Sequence, residues 1–124
     1  MLAGEQPTIF GDGTQSRDFT YIDNVVAANL QAIKAPASRV AGQVFNIATG
    51  ERFDLNQTFQ LLKNIIRFDG NVKYAPDRAG DVKHSLADLS RSETLLGYKP
   101  IVNFEEGLRR TVEWYRGQRS AAKA

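Results

Sequence analysis

The run GDGTQSRDFTYIDNVVAANLQA, Gly11 to Ala32, joins a turn, an aromatic strand and the start of a helix. Asp12-Gly13 is a strong tight-turn signal, and Thr8-Ile9-Phe10 before it reads as a short strand. After the turn, Arg17, Phe19 and Tyr21 alternate with Asp18, Thr20 and Ile22, so the two segments predict a β-hairpin. Asp23 is placed to cap a helix whose Val26, Leu30 and Ile33 recur at helical spacing, and Ala35-Pro36 ends it. Within this run Arg17 is a lone cation on a strand that reads as half buried. Its candidate partners are the neighbouring Asp18 and Asp23, or an anionic ligand.

Further along, residues 37–43 read as a polar loop. QVFNIA, Gln43 to Ala48, is apolar on both faces except for Asn46, the pattern of a strand buried on both sides in a parallel sheet. Asp54 and Gln57 form a capping-box pattern ahead of a stripe of Leu55, Phe59, Leu62 and Ile66. Asn71 to Pro76 predicts a strand with Val72 and Tyr74 on one face, followed by a loop over 77–80. Asp88 is a helix start, with Leu95 and Leu96 inward and Gly97 as the stop. Asn103 and Glu106 give a second capping box, and Phe104, Leu108, Val112 and Tyr115 form the stripe of a last helix. Strands alternating with helices predict an α/β chain with about four helices.

The 124 residues suffice for a core, and 42% hydrophobic with 24% charged content argues against wholesale disorder. The absence of cysteine excludes disulfides and thiolate metal sites and fits a reducing cytoplasm. No apolar run approaches the ~20 residues of a membrane span. The net charge of +2 is uneven. Residues 109–124 carry Arg109, Arg110, Arg116, Arg119 and Lys123 against Glu113, a balance of +4, which leaves −2 elsewhere. A basic helix end complements the helix dipole, and without aromatic platforms it predicts no nucleic-acid partner.

Several chemistries are excluded. GDG followed by TQS lacks the third glycine of a dinucleotide loop and leads to a strand, not a helix. The single histidine, His84, rules out His-pair metal motifs and reads as a hydrogen-bonded structural residue. Glu105-Glu106 sits in a helix first turn, where negative charge is stabilising on structural grounds. No tyrosine is followed four residues later by lysine. The residues therefore nominate no catalytic, cofactor or metal set.

Three blocks together carry a resemblance: IFGDGTQSRDFTYIDNVVAANLQA, VFNIATGERFDLNQ, and RAGDVKHSLADLSRSETLLGYKP with VNFEEGLRRTVEWY. They resemble the carboxy-terminal third of the extended short-chain dehydrogenase/reductases, the NAD-dependent nucleotide-sugar epimerases and dehydratases. The run Gly80 to Asp88, GDVKHSLAD, is similar to the UDP-glucose and UDP-N-acetylglucosamine 4-epimerase branch. The resemblance implies a small mixed domain, residues 1–116, that binds a nucleotide sugar and normally packs on a Rossmann-type sheet absent here, with 117–124 a basic flexible tail. The NAD loop and the Tyr-x-x-x-Lys pair would belong to the missing part. NAD would then serve the full-length enzyme, and this chain alone would be inactive.

The resemblance also implies site roles. Arg17 matches the arginine of an RDF motif that contacts the substrate diphosphate. Arg78 and Asp81 match an R-x-G-D motif, the arginine on the diphosphate and the aspartate on the ribose hydroxyls. Asn46 matches a binding-site asparagine, and Phe10 lies where the chain passes the uracil. Guanidinium suits a diphosphate, because its planar fork meets paired anionic oxygens bidentately. The expected partner is a UDP-sugar, and the expected state a homo-oligomer formed through surface left bare by truncation. A stand-alone nucleotide-sugar-binding or interaction module, and a fragment of a 4,6-dehydratase, are the alternative readings.

Overall fold

The computed structural model describes residues 1–121, with side chains described through Arg119; residues 122–124 of the expected tail lie outside them. The described residues divide into two compact units, one comprising 1–17, 53–85 and the residues from 108 on, the other 18–52 and 86–107. The α/β class holds: short strands and helices alternate, in two-stranded sheets.

In the first unit, β1 (Thr8–Phe10) pairs in parallel with β4 (Lys73–Ala75), and β2 (Ser16–Arg17) pairs antiparallel with β3 (Phe53–Asp54). The expected hairpin between β1 and the segment after Gly13 does not form. Its hydrogen-bonding groups are used elsewhere. The Gly11 amide continues the β4 ladder by donating to the Ala75 carbonyl at 2.8 Å, and the Gln15 side-chain amide donates to the Phe10 carbonyl. The Asp12 and Gly13 carbonyls accept from the side chain and backbone of Asn56, at 3.0 and 3.2 Å. Both glycines have φ near +80°, and a Cβ on Gly11 would strike the Asp77 carboxylate. Only glycine fits so sharp and crowded a bend.

Helix α3 (Leu55–Ile66) begins as expected: the Asp54 carboxylate accepts from the Gln57 amide at 2.7 Å, and the Gln57 side-chain oxygen accepts from the Asp54 amide at 3.0 Å. It ends at Arg67 in the left-handed conformation, φ 58°. Phe59 of its stripe joins Ile9 and Phe68 in a buried cluster, flanked by Leu55, Ile66 and Val72.

In the second unit, α1 (Ile22–Lys34) starts from Tyr21 rather than Asp23, which lies in the first turn where its charge favours the helix N-terminus. The apolar stripe at helical spacing is exposed: Val26, Leu30 and Ile33 are 49%, 50% and 79% accessible. The face that is buried carries Asn24 and Ala28. Asn24 is fully buried, donating to the Val102 carbonyl at 2.8 Å and accepting from the Ile101 and Val102 amides at 2.8 and 2.9 Å. Those bonds require close approach, and small Ala28 allows it, packing with Ala48, Leu89 and Tyr98. A short helix, α2 (Ala37–Val40), occupies part of the expected loop.

The expected strand 43–48 has no ladder partner among the described residues, and Val44 is 78% exposed. Helical structure after Asp88 starts at Ser90, because the Asp88 carboxylate accepts from the Ser90 amide and hydroxyl at 2.9 and 2.6 Å. A π-helical turn, Ser92–Leu96, then closes at Gly97, φ 68°. Helix α4 (Phe104–Ala121) opens with Asn103 accepting from the Glu106 amide at 2.9 Å. Phe104 and Val112 of its stripe are buried, but Tyr115 is exposed and packs edge-on against Trp114.

Candidate functional site

Two loops of the first unit frame a hollow of about 290 Å³, lined by Asp12 and Gln15 from one and by Asp77, Arg78, Asp81, Val82 and Lys83 from the other. Phe10 ends β1 beside it. The Arg78 guanidinium lies over the Phe10 ring, 3.7 Å from its centroid. Such stacking uses the ring's negative face and keeps the guanidinium's in-plane N–H groups available.

Arg17, on β2, pairs with Asp81 and not with Asp18 or Asp23. Its other terminal nitrogen donates to the Ser16 carbonyl at 2.8 Å and reaches the Lys83 carbonyl at 3.4 Å. Arg17 is thus linked to the hollow's wall through Asp81 and is partly exposed. Asp12 is held by the Thr14 hydroxyl and amide at 2.7 and 2.9 Å, which lowers its carboxyl below the usual range, and Lys83 stands 3.9 Å away. Three carboxylates and two cations line the hollow, with Arg17 behind Asp81.

Four of the five sequence-derived site residues therefore cluster in one unit: Phe10 with Arg78, and Arg17 with Asp81. Asn46 belongs to the second unit, where its side-chain amide donates to the Asp88 carbonyl at 3.1 Å. Two residues escaped sequence reasoning. Gln15, almost fully buried on the hollow's wall, has no motif or periodicity to mark it. Asp18 accepts from the Thr49 amide and hydroxyl at 2.9 and 2.8 Å and from the Gly50 amide at 3.0 Å, organising the second unit. Its place beside Arg17 had suggested only an ion pair.

The model of the NAD dependent epimerase/dehydratase family matches residues 1–48. A UDP-glucose 4-epimerase from Thermotoga maritima, solved with UDP-glucose, is 45% identical over 95% of this chain and superposes with a TM-score of 0.88. The chain corresponds to the carboxy-terminal portion of an extended short-chain dehydrogenase/reductase epimerase. A putative UDP-glucose 4-epimerase of Methanocaldococcus jannaschii is 38% identical over 92% of the chain. A UDP-glucuronic acid 4-epimerase from Bacillus cereus, solved with UDP-glucuronic acid and NAD, is 32% identical over 94% of it, with a TM-score of 0.87. The chain spans only 37%, 35% and 37% of the length of these three epimerases, respectively. Epimerase relatives thus bind UDP-sugars and NAD. Among the described residues, no helix is long and apolar enough to cross a membrane.

Proposed function

We propose that this chain is the nucleotide-sugar-holding part of an NAD-dependent UDP-sugar 4-epimerase. The observation that carries the reading is the pairing of the two arginines with the hollow: Arg78 stacked on Phe10, and Arg17 joined to Asp81 on the hollow's wall. Arg17 and Arg78 clamp the diphosphate, Asp81 accepts from the ribose hydroxyls, and Phe10 borders the uracil. Epimerisation at C4 needs the nucleotide held firmly while the sugar turns over, so binding energy is concentrated remote from the reacting carbon.

The residues here do not fit a dinucleotide. The glycine loop after β1 feeds β2 instead of a helix N-terminus, and the sequence holds no Tyr-x-x-x-Lys. NAD and the catalytic tyrosine would come from another polypeptide segment, and these 124 residues alone would catalyse nothing. A cytoplasmic setting goes with the cysteine-free sequence. Neither nucleic acid nor membrane is a partner in this reading. The exposed Val26, Ile33 and Val44 support self-association, which a light-scattering mass of one 13.8 kDa chain at all concentrations would refute.

Calorimetric titration with UDP tests the assignment. Binding should be lost in Arg17→Ala and in Arg78→Ala. Unchanged affinity in both variants would overturn it.

A further inference from the structure

Two parallel contacts bracket the hollow. At one end β1 runs beside β4, residue 8 beside 73 and residue 10 beside 75. At the other, Ser16 lies in a parallel bridge to His84. The connections 11–15 and 76–83 therefore leave neighbouring strands together and arrive at neighbouring positions together. The hollow lies between them, and both ends of its arginine-bearing loop are tied down.

The second tie has a side-chain component. The Ser16 amide donates to the Lys83 carbonyl at 2.8 Å, and the Ser85 amide donates to the Ser16 carbonyl at 3.1 Å. Between these, the Ser16 hydroxyl meets His84 Nδ1 at 2.9 Å. Ser16 is 8% accessible, so its hydroxyl needs a protein partner, whereas the His84 ring is exposed on its other side. Arg17 follows Ser16 directly and reaches across to Asp81 and the Lys83 carbonyl. The register of residues 83–85 on β2 thus sets where Asp81 stands relative to Arg17.

We infer that His84, acting through Ser16, is a positioning residue of the diphosphate site: it locks the loop carrying Arg78 and Asp81 into register with the strand carrying Arg17. The inference rests on the nucleotide-sugar reading. His84 touches no ligand in it. Loss of its bond leaves the Ser16 hydroxyl unsatisfied and loosens the loop, costing affinity without removing a contact to UDP.

The test uses the whole chain with UDP as the calorimetric probe and amide hydrogen exchange over residues 78–85 as a second readout. One side-chain hydrogen bond corresponds to roughly a fivefold change in affinity. His84→Ala and Ser16→Ala should each weaken UDP binding by about that factor, and the double variant should weaken it no further. His84→Asn, whose amide can occupy the place of Nδ1, should restore both affinity and exchange protection. Affinity unchanged in His84→Ala, or an asparagine variant as weak as the alanine one, overturns the inference while leaving the arginine assignment standing. UDP binding indifferent to Arg17→Ala and Arg78→Ala overturns the underlying reading and this role with it. Exchange over 78–85 that is unaltered by His84→Ala removes the brace itself.

Discussion

Arg17 and Asp81 form an ion pair across two segments that lie 64 residues apart in sequence. In the proposed site each has a different ligand group to meet, Arg17 a phosphate and Asp81 a ribose. The carboxylate therefore competes with phosphate for the guanidinium. Asp81→Asn removes that competition. It should tighten inorganic pyrophosphate binding about two- to fivefold, the range of a partly exposed ion pair, while weakening uridine. Calorimetry with the two ligands separately would show opposite shifts. Parallel shifts would mean that Asp81 acts only on the loop.

Asn24, itself fully buried, ties α1 to the backbone at Ile101 and Val102 through three hydrogen bonds. Alanine in its place strands two amides and a carbonyl. Asn24→Ala should cost about 3–5 kcal/mol, read as a lowered urea midpoint with unchanged slope. A loss under about 1 kcal/mol would mean that water replaces the amide.

Tyr98 is 1% accessible, and its hydroxyl donates to the Ala48 carbonyl at 2.7 Å. Burial raises its pKa above the usual 10.0, Asp18's charge adds to the rise, and the Thr20 side chain opposes it. The unfolded chain ionises at about pH 10, before the folded one. This contribution to stability is thus complete below about pH 10 and disappears as pH climbs through the folded value. Stability measured by urea should fall above about pH 10, and Tyr98→Phe should fall less steeply there while losing about 1 kcal/mol at neutral pH. Equal slopes for the two proteins would assign the alkaline loss to other groups.

The sequence revealed local structure best where neighbouring residues settle it. The Asp54–Gln57 box, the Ala35-Pro36 stop and the Gly97 stop all depend on residues within one turn, and all appear as read. Pairing was harder to read. Asp12-Gly13 signals a bend correctly, but the partner of β1 is set by Lys73–Ala75, far along the chain. Periodicity marked the α1 stripe and its helix without saying which way the stripe turns. Asn24's hydrogen bonds decided that, drawing the polar and small residues inward. QVFNIA has a buried strand's pattern but no ladder partner among the described residues, and Val44 is exposed. For the site, the motifs supplied Arg17, Arg78, Asp81 and Phe10. The contacts between them, and Gln15 beside them, required the fold.

The central claim is that Arg17 and Arg78 grip one pyrophosphate, and a crystal structure of this chain grown with UDP tests it most directly. The account predicts diphosphate oxygens within about 3.2 Å of both guanidinium groups, with Asp81 turned to the ribose. UDP bound with its diphosphate in solvent, or seated against Phe53 of β3 and Leu61 of α3, would contradict it.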